Sequence, residues 1–242
     1  MILANVRASL ERDDAQLALR LIAGGSHSEL EQAETLLRDH GIDALLDDPR
    51  LVAALMASHL GGRASLPLFC YAIVRHALRS VGENDRMLAD YVSAILLHFG
   101  MRGRAERLSA ADDERYDTLA SLVKALDEPD ARRNFLVRQH LGNYALWVSG
   151  LFPDFIEHRR WRRGGPDIDY YEDLGRRGFQ LAADHRLAQE NGLSTLFHEA
   201  AERFGALRMA LNGISDSLLF PNNHSPDRLM RQVRDEARWK KS

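Results

Sequence analysis

Residues 134–153, NFLVRQHLGNYALWVSGLFP, decide the fold of this chain. The stretch begins amphipathic and becomes apolar on most sides between Leu141 and Phe152. A helix that is apolar all round, in a chain of globular composition, is a buried helix. Pro153 lacks the backbone donor that a helix needs and therefore ends it. The sequence thus predicts a central helix over 132–151, around which the other helices pack.

A second helix, predicted over 170–183, matches the central helix in its small residues. These recur at three- and four-residue spacing, which places them on one face of each helix: Gly142, Ala145 and Ser149 on the central helix, and Gly175, Gly178 and Ala182 on the second. A glycine inside a helix costs about 1 kcal/mol relative to alanine. Close packing of the two faces is the expected reason for the glycines, and a ligand between the helices is the alternative.

The rest of the chain also carries apolar residues at helical spacing, whereas alternating runs rich in β-branched residues are scarce. The sequence therefore predicts an all-α protein, a single irregular multi-helical domain of about nine or ten helices over 1–242. The glycine-flanked segment 100–103 is a weak break. It leaves open an N-terminal helical subdomain over 1–103 and a C-terminal one over 104–242.

Local signals place several of the helix boundaries. Ser28 opens a capping box, and Ser109 is expected to cap a helix that runs to Leu126. Helical spacing predicts one long helix over 194–214 and a terminal helix over 227–240. The terminal helix has mixed charges and a thin apolar face, so we expect that it either detaches or packs on a partner.

Composition limits the classes of function. The chain has 242 residues, of which 28% are charged, and a net charge of −3, so it has no overall field that would attract nucleic acid or an anionic membrane. Cys70 is the only cysteine, which fits a reducing compartment. No apolar run approaches the roughly 18 residues of a membrane span, and the N-terminus lacks a signal-peptide pattern. We expect a cytoplasmic protein that does not associate with membranes.

The sequence holds no recognisable catalytic or cofactor motif. A Gly-x-Ser-x-Gly elbow, a Walker loop and a dinucleotide fingerprint are all missing. No histidine follows a glutamate by three residues, and in the segment beginning His198-Glu199 the second zincin histidine is replaced by Glu202. We therefore assign no catalytic residue, metal ligand or cofactor, and we leave open whether the protein is an enzyme.

Polar residues in the central helix define a candidate ligand site. His140, Asn143 and Tyr144 share one helix face where the helix becomes buried. Buried polar groups need partners, and four residues beyond the next turn could supply them: Arg159, Tyr170, Tyr171 and Arg177. A pocket of Arg, Tyr, Asn and His side chains would suit a small anionic ligand. The alternative is a closed hydrogen-bond network that joins the two helices.

A basic cluster, HRRWRR over 158–163, interleaves tryptophan with arginine, as nucleic-acid contacts often do. Acidic residues lie on both sides of the cluster, and they can pair with the arginines and repel phosphates. The cluster therefore favours a solvated turn with internal ion pairs, and nucleic acid is an unlikely partner.

The run HLGNYALWVSGLFP over 140–153, followed by Tyr170-Tyr171 and Gly175, resembles a group of uncharacterised bacterial helical proteins. That group carries an H-hydrophobic-G-D-[YF]-x-L-[FW] run, a G-[LF]-[FY]-P run, then a tyrosine and a glycine. The likeness covers roughly residues 90–217. Asn143 stands here where the group has aspartate, which weakens any role for a carboxylate at that position. The resemblance supports the all-α fold and implies no reaction.

Three functions remain open from the sequence. The leading interpretation is a non-enzymatic cytoplasmic protein that binds another protein or its own copy, since helical folds without catalytic motifs commonly present such faces. The second is a binding protein or enzyme for a small anionic ligand at the His140 cluster. The third is nucleic-acid binding through the arginines of 158–163.

Overall fold

A computed structural model of the protein describes residues 1–101, 103–109 and 112–239. These residues form α-helices and short 3-10 and π turns, with no strand among them, so the all-α class is confirmed. They divide into two compact units, Ile2–His98 and Phe99–Ser242, with Met1 in the latter. The prediction of a single domain stays a prediction. None of the described helices is long and apolar enough to cross a membrane.

The unit Ile2–His98 is built from helices joined by short turns. Apolar residues from all of its longer helices make its core, and Arg75, which is 3% exposed, donates to Asp47 at 2.6 Å and to the Asn84 carbonyl at 2.8 Å. The helices are α1 Arg12–Ala23, α2 His27–His40, α3 Ile42–Leu46, α4 Pro49–Ala57, α5 Leu66–Ser80 and most of α6 Arg86–Gly100.

The unit Phe99–Ser242 surrounds the predicted central helix. That helix, α8, is Ala131–Leu151; Asp130 caps it, and it ends two residues before Pro153. Most of its residues are buried. The other helices are α7 Leu119–Lys124, α9 Pro153–Arg163, α10 Ile168–Ala183, α11 Arg186–Glu190, α12 Ser194–Glu202, α13 Phe204–Ile214 and α14 Pro226–Trp239, with a π-helix at Ser215–Leu219.

Close packing of α8 against α10 explains the glycines. A Cβ atom added to Gly178 would lie 2.6 Å from the backbone nitrogen of Gly142 and 3.1 Å from the Arg138 carbonyl oxygen. A Cβ atom on Gly142 would lie 2.5 Å from the Phe179 ring. Atoms do not approach this closely without a shift of the helices, so the prediction of close packing is confirmed.

Helix α14 attaches to its unit through its charged face. Arg228 and Arg231 are 3% and 2% exposed. Arg228 donates to Asp154 at 2.7 Å, and Arg231 donates to Asp216 at 2.7 Å. The opposite face of the helix is apolar and exposed, with Leu229, Met230 and Val233 exposed by 54%, 62% and 63%. This amphipathic helix is therefore docked by its polar side, the reverse of the usual arrangement.

The predicted number of nine or ten helices is wrong, because the described residues form fourteen α-helices. Two short helices, α3 and α11, follow their predecessors almost directly. The long helix predicted over 194–214 is broken at Arg203, whose φ of −97° and ψ of 13° leave the α-helical region. Each break occurs without the proline that would reveal it in the sequence.

Several predicted helix starts also need correction. Ser26, not Ser28, accepts the capping hydrogen bond at the start of α2. Thr118 caps α7, so the helix predicted from Ser109 begins later, and the prediction also runs through residues 110–111, which lie outside the described residues. Likewise Arg102, within the predicted break, and Lys240, at the predicted end of the last helix, are outside the described ranges.

Candidate functional site

A cleft of about 590 Å³ opens between α7, α8, α9 and α10. Its lining is mainly aromatic and apolar, with one arginine and one aspartate among the polar groups. We call it the aromatic cleft. It is lined by Asp117, Thr118, Leu119, Ala120, Tyr144, Val148, Phe152, Phe155, Arg159, Pro166, Tyr170 and Tyr171.

Helical spacing places the lining residues of α8 and α9. Tyr144 and Val148 are four residues apart and share one face of α8, and Phe152 follows at the C-cap. Pro153 then begins α9, where Phe155 and Arg159 are again four apart. Residues at this spacing project from the same side of a helix. One wall of the cleft is thus formed by residues that are close together in the sequence, between Tyr144 and Arg159.

The opposite wall is the first turn of α10. Asp167 caps this helix by accepting from the Tyr170 backbone N–H at 3.0 Å. The cap fixes the start of the helix and so places Tyr170 and Tyr171 at the cleft. The two rings meet edge to face with centroids 6.3 Å apart. Tyr170 is 41% exposed at the rim, whereas Tyr171 is 7% exposed.

Arg159 supplies a half-buried positive charge to the cleft that no described residue neutralises. No described carboxylate lies within 4.0 Å of its guanidinium, and no described group accepts a hydrogen bond from it. Two other charged residues of α9 are paired: Glu157 accepts from Arg234 at 2.9 Å, and Arg160 lies 3.8 Å from Asp167. The Arg159 guanidinium is therefore available to a ligand.

Tyr171 offers a second donor beside Arg159. Its hydroxyl has no hydrogen-bond partner among the described residues, although the residue is largely buried. Burial raises the pKa of Tyr171, and the positive charge of Arg159 opposes this rise. The phenol therefore stays protonated at neutral pH and can donate a hydrogen bond. Arg159 and Tyr171 are thus two hydrogen-bond donors in the lining of one cleft, each without a described partner.

Tyr144 is held differently, because its hydroxyl already has a partner. It donates to the backbone carbonyl of Asp117 at 2.8 Å. Burial, as the main cause, raises the pKa of Tyr144 to about 12. The hydrogen bond ties the chain before α7 to α8 and fixes this side of the cleft.

The raised pKa of Tyr144 gives a direct titration test. The neutral phenol is favoured because it is buried and because only the phenol can donate to the Asp117 carbonyl. We expect the Tyr144 phenolate to appear at a pH of about 12, against about 10 for free tyrosine. The measurement is the near-ultraviolet titration of wild type minus Tyr144→Phe. A difference curve with its midpoint at the free-tyrosine value would contradict the burial of this hydroxyl.

The structure brings four of the seven predicted site residues together and separates the other three. Tyr144, Arg159, Tyr170 and Tyr171 line the cleft. His140 and Asn143 are 5% and 1% exposed and lie in the interior instead. Arg177 is exposed on α10, away from the lining.

His140 has its own structural role. Its Nε2 atom lies 2.9 Å from the Ala105 carbonyl oxygen, and its ring centroid lies 5.2 Å from that of Phe99. This contact ties α8 to the segment before α7 and not to α10, so a hydrogen-bond network that joins the two helices stays a prediction.

Sequence reasoning missed lining residues of two kinds. Phe152 and Phe155 could have been found, because they precede Arg159 by seven and four residues and so share its helix face. Asp117 and Leu119 carry no such signal. They reach the cleft through long-range packing of the segment before α8.

Comparison with known proteins does not place the chain in a family. The chain matches no family model, no curated protein and no solved structure. The fold and the site define an all-helical protein with an aromatic cleft around an arginine that has no described partner. The resemblance to the bacterial helical group stays a prediction.

Proposed function

We propose that the protein binds a small organic anion in the aromatic cleft. The observation that carries this proposal is the pair of donors formed by Arg159 and Tyr171, which have no described partners and lie at the edge of an aromatic wall. The carboxylate, or a similar group, of the ligand accepts from both donors. The planar apolar body of the ligand lies among Tyr144, Phe152 and Tyr170.

Physical chemistry supports a ligand that has one anionic group and one planar apolar part. Hydrogen bonds between an arginine and a carboxylate are about twice as strong as those between neutral groups, and the half-buried position of Arg159 reduces competition from water. Aromatic pairs in offset or edge-to-face contact contribute about 0.5–1.5 kcal/mol beyond the area that they bury. The cleft volume of about 590 Å³ also lies in the usual range of small-molecule sites.

The proposal is tested with 3-phenylpropionate, a probe that combines one carboxylate with one aromatic ring. We expect calorimetry to detect binding and Arg159→Met to weaken it about 10- to 100-fold, since a hydrogen bond to a charged group contributes about 1.5–3 kcal/mol. Tyr171→Phe removes one donor and should weaken binding by about 5- to 10-fold.

Arg177→Met is the matched control for this experiment. It removes the same charge from the same unit, but Arg177 lies outside the cleft, so affinity should remain at the wild-type value. Circular dichroism establishes that each variant is folded. The proposal fails if no small aromatic carboxylate binds at millimolar concentration, or if Arg159→Met and Arg177→Met have equal effects.

A second candidate function is protein binding through α14. The observation that favours it is the exposed apolar face formed by Leu229, Met230 and Val233. Contiguous apolar surface of this kind is typical of interaction sites. Light scattering tests the version in which the chain binds its own copy, because a monomer at all concentrations would count against it.

A further inference from the structure

A second charged group without a described partner lines the aromatic cleft. Asp117 is exposed, and its carboxylate forms no ion pair or hydrogen bond with any described residue. Arg159, in the same lining, is likewise without a described partner. The two charges do not neutralise each other, because no described carboxylate lies within 4.0 Å of the Arg159 guanidinium. The cleft thus holds one free positive charge and one free negative charge.

The hydroxyl of Tyr144 lies within the field of both charges. It donates to the backbone carbonyl of Asp117 at 2.8 Å. Burial is the main reason that the pKa of this phenol is raised; the Asp117 charge raises it further and the Arg159 charge lowers it. The charges of Asp117 and Arg159 therefore both act on the Tyr144 hydroxyl, with opposite effects on its pKa.

Two opposite charges that line one cleft without pairing present complementary positions for a ligand. A carboxylate satisfies Arg159 and Tyr171, as described above. An ammonium group satisfies Asp117, and the electron-rich faces of neighbouring rings such as Tyr144 and Tyr170 attract a cation as well. A ligand with only a carboxylate would leave Asp117 unpaired and would bring a second negative charge into its field.

We infer that the ligand of the aromatic cleft is a zwitterion of the amino-acid class, with an aromatic or apolar side chain. Its carboxylate binds Arg159 and Tyr171, its ammonium group binds Asp117, and its side chain packs among the rings. This inference rests on the proposed function, since it concerns the same site and adds the cationic half of the ligand.

The experiment compares ligands that differ only in the ammonium group. Phenylalanine is 3-phenylpropionate with an added α-ammonium group. In the same way, phenylalanylglycine is 3-phenylpropionylglycine with an added α-ammonium group. The carboxylate and the ammonium group are farther apart in phenylalanylglycine than in phenylalanine. We expect at least one zwitterion to bind about three- to tenfold more tightly than its matched anion, a range set by an exposed ion pair with a cation–π contribution.

Asp117→Asn should remove this advantage and leave the zwitterion no tighter than its anion. The control is Asp113→Asn, which removes an equal charge from a nearby exposed residue that does not line the cleft and should preserve the advantage. If both anions bind at least as tightly as their zwitterions, or if Asp117→Asn preserves the advantage, the inference is overturned while the proposed function stands. If none of the four probes binds in an Arg159-dependent way, the proposed function itself has failed.

Discussion

Replacing Arg208 by methionine is expected to lower the free energy of unfolding by about 3–5 kcal/mol, the usual cost of removing one partner from a buried ion pair. Arg208 is 1% exposed. Its guanidinium donates to Glu172, to the Asn212 side chain at 2.6 Å and to Asp235 at 2.8 Å. The methionine would fill similar space but leave two carboxylates without their main cation. Urea unfolding of wild type and variant measures the difference.

The control for this prediction is Arg203→Met, five residues earlier, at the break between α12 and α13. Arg203 is part-exposed and pairs with Glu199 at 2.9 Å, so its loss should change stability by less than about 1 kcal/mol. A double variant, Arg208→Met with Glu172→Gln, should recover part of the loss because one uncompensated charge disappears. Equal effects of Arg208→Met and Arg203→Met would show that the buried network does not stabilise the unit.

The sequence predicted those parts of the fold that depend on local chemistry. Asp48 and Ser65 cap α4 and α5, where each side chain accepts from a backbone N–H of the first turn, and both are residue types favoured at N-caps. The central helix ends at Leu151 as predicted, because Pro153 follows. The break at Arg203 was not predictable, since no glycine or proline marks it.

The candidate site was predictable on one side only. Arg159 and Tyr171 were named from the sequence because the turn between α9 and α10 keeps them close along the chain. His140 and Tyr144 share a face of α8, yet each meets a different neighbour: the Ala105 carbonyl in one case and the Asp117 carbonyl in the other. These partners are 35 and 27 residues away, and no local pattern specifies such contacts.

The buried arginines were also beyond the reach of sequence patterns. Arginine is almost never fully buried unless it is paired, and the mixed charges of the terminal helix gave no sign that two of its arginines are buried. The structure instead buries Arg228 and Arg231 against Asp154 and Asp216. The tertiary structure is needed to show that these acids lie opposite the arginines. Because the charged face of α14 is buried against them, its apolar face is exposed.

Replacing Gly178 by alanine is expected to destabilise the unit by about 3 kcal/mol, at the upper end of the usual cost of overpacking. The added Cβ would lie 2.6 Å from the Gly142 backbone nitrogen, and a backbone atom cannot move aside as a flexible side chain can. Helices α8 and α10 would have to separate. The intrinsic helix propensity acts in the opposite direction, by about 1 kcal/mol in favour of alanine, and is outweighed by the clash.

Gly213→Ala is the matched control, because a Cβ at Gly213 would meet nothing within 4 Å. The same substitution at the end of α13 should therefore be neutral or stabilising by up to about 1 kcal/mol. Opposite signs for the two glycines in urea unfolding would show that close approach, rather than helix propensity, governs Gly178. If Gly178→Ala is as stable as wild type, α8 and α10 are not packed backbone to backbone. Because these helices also carry Tyr144 and Tyr171 to the cleft, we expect the folded Gly178→Ala protein to bind 3-phenylpropionate more weakly as well.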